Sequence, residues 1–479
     1  MPRYNCSQLN QAIRRAAKSA QQEEKLFSVI PAKAGIQNGK VCCAHHRACE
    51  PYTNDMEAHK MSQEKTNSTA AENSDKLSRR RFVAGAGAAA LAFSVVRPAL
   101  VRGAQANSKI NLGLIGCGGR GTWIANLFKQ HGGYNIVAVS DYFPDRADSA
   151  GDSLGVDKAN RFTGLSGYRK LIEKVDAVAI ETPPYFHPEQ AAAAVDAGKH
   201  VYVAKPIAVD APGCLSIGDS GKKAAAKKLC FLVDFQTRAD QFYIEALKRV
   251  HAGALGDIAF GEAIYHADCP FGRMYDTWRA DPNNPENRLR AWGLDNILSG
   301  DIITEQNIHT LDVMNWIMGV DPLWAVGTGG RTIRPVGTCW DHFAVLFQYP
   351  NDVGITFSSR QSDGFGTQPE GIRNRMFGSK GVLETEYGGQ VIIRGKGETF
   401  YRGGSSPGIY QEGAVANIAT FHKSITEGKF DNPTVPESVR SNLITILGRT
   451  AAYEKRQVTW KEIINNKNKL DANLKGLKA

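Results

Sequence analysis

The chain has 479 residues, 42% of them hydrophobic, the composition of a globular protein of two or three domains able to bury real cores. Its net charge of +10 invites a nucleic-acid reading, but residues 1–106 hold 16 of the 58 basic side chains against 8 of the 48 acidic ones, so the remainder is nearly neutral. With no basic stripe interleaved with aromatics, nucleic-acid binding is excluded. The nine cysteines are an odd, scattered set, which excludes a disulfide framework; "CCAHHRAC" (Cys42 to Cys49) fits no standard zinc spacing, and no metal site is expected.

In chain order, residues 1–60 read as a disordered upstream extension and residues 61–106, from Met61, as a signal peptide. Arg79 and Arg80 precede Phe82 and an Ala-rich apolar run that falls short of the ~20 residues needed to span a bilayer. "AQA" (Ala104 to Ala106) then offers small residues to a signal peptidase. The segment resembles a twin-arginine (Tat) signal, read by machinery that exports folded proteins. An exported, periplasmic location without a stable membrane span is expected. A nucleotide carried by such a protein must be loaded first and held tightly.

Residues 108–235 read as a nucleotide-binding Rossmann domain. An apolar strand (Ile110 to Ile115) leads into Gly116-x-Gly118-x-x-Gly121 and a helix, with Gly119 and Arg120 inside the turn. The first glycine permits the turn, the second lets a pyrophosphate approach the backbone, and the third lets the helix pack on the strand. A second strand ends in Asp141, placed to accept hydrogen bonds from ribose hydroxyls and to repel a 2′-phosphate. NAD is therefore expected, with Arg146 nearby keeping NADP possible. Further apolar strands end in "TPPYFH" (Thr182, Pro183, His187), "AKP" (Lys205) and "DFQTR" (Gln236, Arg238). Strands alternating with helices argue for a doubly wound parallel sheet, whose ligands sit at the strands' carboxyl ends.

Residues 236–460 change pattern. Strand follows strand from Asp257 to Gly395 with short connections, which predicts a C-terminal α+β domain with an open, mostly antiparallel sheet. Residues 461–479 read as a polar tail without chemistry. "SGDIITEQNIHTLDVMNWIMG" reads as one helix, stacking Asp301, Glu305 and His309 with Asp312 beside them. By itself this stripe also fits a buried histidine satisfied by a carboxylate.

The glycine turn, the acidic strand end, T-P-x-x-x-H and K-P after a buried strand together resemble the Gfo/Idh/MocA family, typified by glucose–fructose oxidoreductase and inositol dehydrogenase. The resemblance runs from about Lys109 to Arg456. It implies a two-domain NAD(P)-dependent oxidoreductase acting on a secondary alcohol of a sugar or cyclitol, with a C-terminal sheet that often mediates oligomers. Two departures stand out: the family's E-K-P is Ala204-Lys205-Pro206, and its D-x-x-x-H is Glu305-Gln-Asn-Ile-His309. The resemblance implies Lys205, His309 and Glu305 as the catalytic group, with His309 or Lys205 taking the alcohol proton and Glu305 orienting the imidazole. Gln236, Arg238, Trp278 and Arg279 are expected to contact the substrate, the last two from a Pro/Asn-rich rim. Two other outcomes stay open: a glycosidase that uses bound NAD transiently, and a non-catalytic sugar-binding protein.

Overall fold

The computed structural model describes residues 109–362 and 371–479. The Tat-like segment and everything before it lie outside the described residues. Six short runs rich in Val, Ile, Leu and Ala form a wholly parallel sheet: β1 (Ile110–Ile115), β2 (Tyr134–Asp141), β3 (Arg161–Thr163), β4 (Ala177–Ile180), β5 (His200–Ala204) and β6 (Phe231–Asp234), in the order β3-β2-β1-β4-β5-β6. Both faces are covered by helices, which is why β4 is apolar at every position and buried throughout. The order reverses beside β1, and the crevice above the carboxyl ends of β1 and β4 is where such a sheet takes a ligand.

The second sheet has nine strands: β7 (Ile258–Ala267), β8 (Trp324–Gly330), β9 (His342–Gln348), β10 (Gly354–Gln361), β11 (Ile372–Gly378), β12 (Gly381–Glu386), β13 (Gln390–Gly395), β14 (Tyr401–Ser405) and β15 (Val458–Thr459). Their order is β14-β13-β12-β11-β7-β10-β9-β8-β15, antiparallel except between β7 and β10. The alternation is plain in β9, where Phe343, Val345 and Phe347 are buried in the core and Ala344 is exposed. Helices Ile308–Met318 and Thr434–Glu454 cover the buried face. Thr434–Glu454 also reaches the first sheet: Asn442 Oδ1 accepts from Ile207 N at 3.0 Å, and Arg449 donates to Val209 O and Gly300 O, both at 2.7 Å. These bonds fix the segment after Lys205 against the second sheet's helices.

Two expectations need correction. The stretch from Ser299 to Gly319 is not one helix. Asp301, in the left-handed region at φ 67°, caps a single turn, Ile302–Glu305; Asn307 N then bonds Ile302 O, and a second helix starts at Ile308. The polar tail expected over residues 461–479 is docked: 461–464 complete the short helix Trp460–Ile464, and residues 465–479 follow the rest of the fold. They run without regular structure along the first sheet's loops, with Ala472 fully buried. Among the described residues no helix is long and apolar enough to cross a membrane.

Candidate active site

The site starts at the glycine turn. Gly116 has φ +97°, and a Cβ there would meet the Glu181–Thr182 backbone at 2.7 Å. A Cβ on Gly121 would lie 1.9 Å from Gly116 O, so only glycine lets helix Gly119–His131 pack this close. Gly118 and Gly119, by contrast, face open space with nothing within 4 Å. No side chain caps the helix, leaving its first N–H groups for an anion. Asp141 is held by Cys117 N and Phe143 N, at 2.8 and 2.9 Å, one bond to each oxygen. Each oxygen keeps a lone pair for a ribose hydroxyl. These residues fit a dinucleotide: the turn is open where a pyrophosphate must approach, and the carboxylate stands at the next strand end.

A cavity of about 740 Å³ extends from this turn over the ends of β4 and β5. Gly118, Gly119, Arg120, Gly121, Thr182, His187, Lys205, Glu305 and His309 all line it, while Pro183 and Asp141 line a smaller adjoining cavity. Lys205 follows β5 and donates from Nζ to the Glu305 carbonyl at 2.7 Å, with the Glu305 carboxylate 3.8 Å away. The lysine is thereby pinned to the turn just ahead of the helix that carries His309. Burial holds the Lys205 ammonium below its ordinary range against the pull of Glu305. Burial, then the Lys205 and Arg120 charges, push His309 well below the usual imidazole range. Among the described residues, His309 Nδ1 and Glu305 Oε2 are buried without partners. Two such atoms at one cavity, each costing ~1–3 kcal/mol when unmet, are explained by a ligand that satisfies them. Tyr265, Tyr387 and Tyr410 complete the wall, the Tyr387 ring 5.2 Å from that of His309.

Arg120 does not reach for a pyrophosphate. The register sets Ala204 beside Asp234, and one step past the Ile180–Val203 pair it sets Glu181 beside Ala204. The guanidinium bridges the two acids, 3.2 Å from Glu181 and 2.5 Å from Asp234, and donates to Tyr410 Oη at 2.9 Å. The small side chain of Ala204 leaves room for that bridge, so two flanking carboxylates stand near the place of the family's E-K-P glutamate. Burial still pushes the Glu181 carboxyl up to about 7. His187 sits between two strand-end loops, Nδ1 2.8 Å from Pro206 O and Nε2 2.7 Å from Thr182 O; with its pKa lowered to about 4 chiefly by burial, the neutral ring donates its one N–H to one of these carbonyls.

The expected substrate contacts lie elsewhere. Arg238 forks onto Asp312 at 2.9–3.0 Å, 5.0 Å from the Trp316 ring centroid; an Arg so satisfied has a structural task. Asp312 also accepts from Ser441, so it leaves the stripe, as does Asp301, which accepts from Trp340 N and Tyr453 Oη. Gln236 is fully buried against Gly413. Trp278 packs in an apolar cluster with Phe271 and Leu294, and Arg279 pairs with Asp276 on the surface. None of Gln236, Arg238, Trp278 and Arg279 lines the cavity. Glu181, Asp234, Tyr387 and Tyr410 were missed. The first two had a signal, an acid at the end of a buried strand; the tyrosines had none.

Comparison with known proteins agrees with this geometry. Residues 110–233 match the model of an oxidoreductase family with an NAD-binding Rossmann fold (GFO_IDH_MocA), and residues 243–384 match the GFO/IDH/MocA C-terminal domain, together more than half of the chain. Inositol 2-dehydrogenase of Rhizobium meliloti is 23% identical over 73% of this chain and 99% of its own length. Glycosyl hydrolase family 109 protein 4 of Phocaeicola vulgatus is 26% identical over 46% of this chain, which spans only 44% of that relative. The crystal structure of myo-inositol 2-dehydrogenase from Lactobacillus plantarum superposes with a TM-score of 0.58 at 22% identity, covering 74% of this chain and 99% of that one. A glycine cradle ending in a lysine–imidazole cavity, under two matching domain models, places this chain in the Gfo/Idh/MocA family of oxidoreductases, with NAD as the cofactor its Rossmann domain binds.

Proposed function

We propose that the protein oxidises a secondary alcohol of a sugar, cyclitol or sugar derivative. NAD, when bound, supplies the hydride acceptor. Lys205, one of whose protons is committed to the Glu305 carbonyl, has others to donate to the alcohol oxygen, stabilising charge that develops there. His309, kept neutral by burial, accepts the hydroxyl proton. Glu305 anchors the lysine; among the described residues no hydrogen bond joins its carboxylate to His309, so it does not orient the imidazole as expected. The aromatic wall suits the apolar face of a ring. The observation that carries this reading is the 2.7 Å bond that locks Lys205 into the cavity lined by His309.

The Tat-like segment supports export of the folded protein to the periplasm with its cofactor aboard. Assembly of copies through the open face of the second sheet completes the proposal. The test is to purify the protein without added cofactor and record absorbance in the reduced-nicotinamide band while titrating a panel of sugars and cyclitols. A new band on adding one of them is expected; an empty protein that stays silent after NAD is added would sink the assignment.

The likeness to glycosyl hydrolase family 109 proteins favours a second reading, transient ring oxidation followed by aglycone loss. Release of an aglycone with no net reduction of cofactor would select it.

A further inference from the structure

The smaller cavity, about 80 Å³, opens over the ends of β1 and β2 and shares Gly118, Arg146, Glu181, Thr182 and Trp292 with the main one. Asp141 stands in it, so this is where the adenosine half of a dinucleotide would rest. Its outer wall is Tyr142, Phe143 and Leu165 from the first sheet's loops, with Leu289 and Trp292 from the second domain.

Two segments back that wall. In the first, helix Pro285–Arg290, Glu286 accepts from Tyr142 Oη at 2.7 Å and Arg290 forks onto Asp145 at 2.7 and 3.0 Å. The Arg290 guanidinium also lies 3.8 Å from the Phe143 ring centroid. The second is residues 470–478. Leu470 N donates to Asp210 Oδ2 at 2.8 Å, Ala472 N to Tyr185 Oη at 3.4 Å, and Lys478 N to Tyr142 Oη at 3.3 Å. The Lys478 carbonyl accepts from Leu165 N at 3.0 Å. Leu474 and Leu477 pack into the same apolar cluster as Phe143, Leu165, Leu289 and Trp292. Gly164, in the left-handed region at φ +88°, suits this contact: a Cβ there would lie 2.3 Å from the Ala479 carbonyl oxygen. The segment does not line the cavity; it holds from behind the residues that do. Tyr142 is gripped from both sides, donating to Glu286 and accepting from Lys478.

We propose that residues 470–478 are a latch on the cofactor site, which fixes the adenosine wall through Tyr142 and Leu165 and slows release of the bound dinucleotide. This rests on the reading that the crevice holds NAD(H), and it gives a physical means for a protein exported folded to keep its cofactor. An apolar segment laid behind the wall acts on escape more than on capture, so its effect belongs in the dissociation rate.

The experiment compares NADH release from the full chain and from a chain ending at Lys469, by stopped-flow fluorescence with excess NAD as the chase. Release at least tenfold faster from the shortened chain is expected. The variant Leu474→Asp/Leu477→Asp, which keeps the backbone, should move the same way and decides the matter if the shortened chain does not fold. Folding is followed in parallel by thermal melting: a lowered melting temperature with an unchanged release rate would show a merely structural strap and overturn the latch. A full chain that binds NADH but releases it no more slowly than the variants refutes the latch alone. A full chain that binds no NADH refutes both the latch and the cofactor reading beneath it.

Discussion

Lys205 and Glu305 are 100 residues apart in the chain, yet the bond between them brings Lys205 to the wall that His309 also lines. The roles of Lys205 and His309 separate on substitution. Lys205→Met and His309→Phe should each lower turnover by roughly 10²–10⁴, the usual worth of a positioned proton-transfer group, while NADH titration by fluorescence shows the dinucleotide still bound. Glu181 makes a different prediction. Its folded pKa, raised to about 7 mainly by burial, exceeds its unfolded value near 4.5. Between those values the folded state binds more protons than the unfolded state, so this group's contribution is fully present below ~4.5 and lost as pH rises through ~7. Glu181→Gln removes that titration. Melting temperature against pH should be flatter over this window in the variant, and the recovered stability at pH 8 is at most roughly 3–4 kcal/mol, from 1.36 kcal/mol per pKa unit. An unchanged slope would place the carboxyl in a wetter site than the structure does. The Arg120 bridge beside it could not be read from the chain, because it depends on the lateral register of β4, β5 and β6. Arg238 misled for the same reason: a polar residue after a strand looks alike whether it meets a ligand or, as here, Asp312.

At the scale of elements, the β1–turn–helix unit was legible because its requirements are local. Gly116, Gly118 and Gly121 are set by a backbone path only a few residues long, and the structure gives each a distinct duty. That division predicts opposite failures. Gly118→Ala adds a methyl to open space, so folding should be untouched and melting unchanged, while NADH affinity falls at least tenfold as the pyrophosphate loses its approach. Gly121→Ala drives a methyl into Gly116 O, so the helix must shift, and the variant should lose several degrees of melting temperature as well as binding. Equal effects of the two on melting would contradict the duties assigned. The helix near His309 was harder. A uniform 100° step carries Asp301, Glu305 and His309 onto one stripe, but no Gly or Pro marks the break at Gln306–Asn307. The break lies where Asn307 N bonds Ile302 O, and Asp301 is drawn off the stripe by Trp340 and Tyr453, contacts 39 and 152 residues away. Glu305 and His309 reach the cavity from two separate helices rather than from one face of one.

At the scale of the molecule, the second sheet has a face that none of the helices among the described residues covers. Phe260 on β7 is 52% exposed and stacks on Phe377 of β11, ring centroids 4.4 Å apart, and Val326 on β8 is also exposed. Beside them, Arg375 bridges Glu262 and Glu384 at 3.0 and 3.5 Å. An apolar strip beside ordered ion pairs on an exposed sheet face is the kind of surface that marks an interaction site. The face lies apart from the cofactor crevice, for neither Phe260 nor Val326 lines either cavity there. Assembly and cofactor binding should therefore come apart. Light scattering should find the parent as more than one chain and Phe260→Glu/Val326→Glu shifted to a single chain, because each buried copy of the strip would place two unpaired carboxylates in an apolar contact. NADH should bind both forms with similar affinity. A parent that is already a single chain, or a variant of unchanged mass, would assign the strip to some other partner; a variant that loses NADH along with its mass would mean that the crevice needs the neighbouring copy to hold its shape.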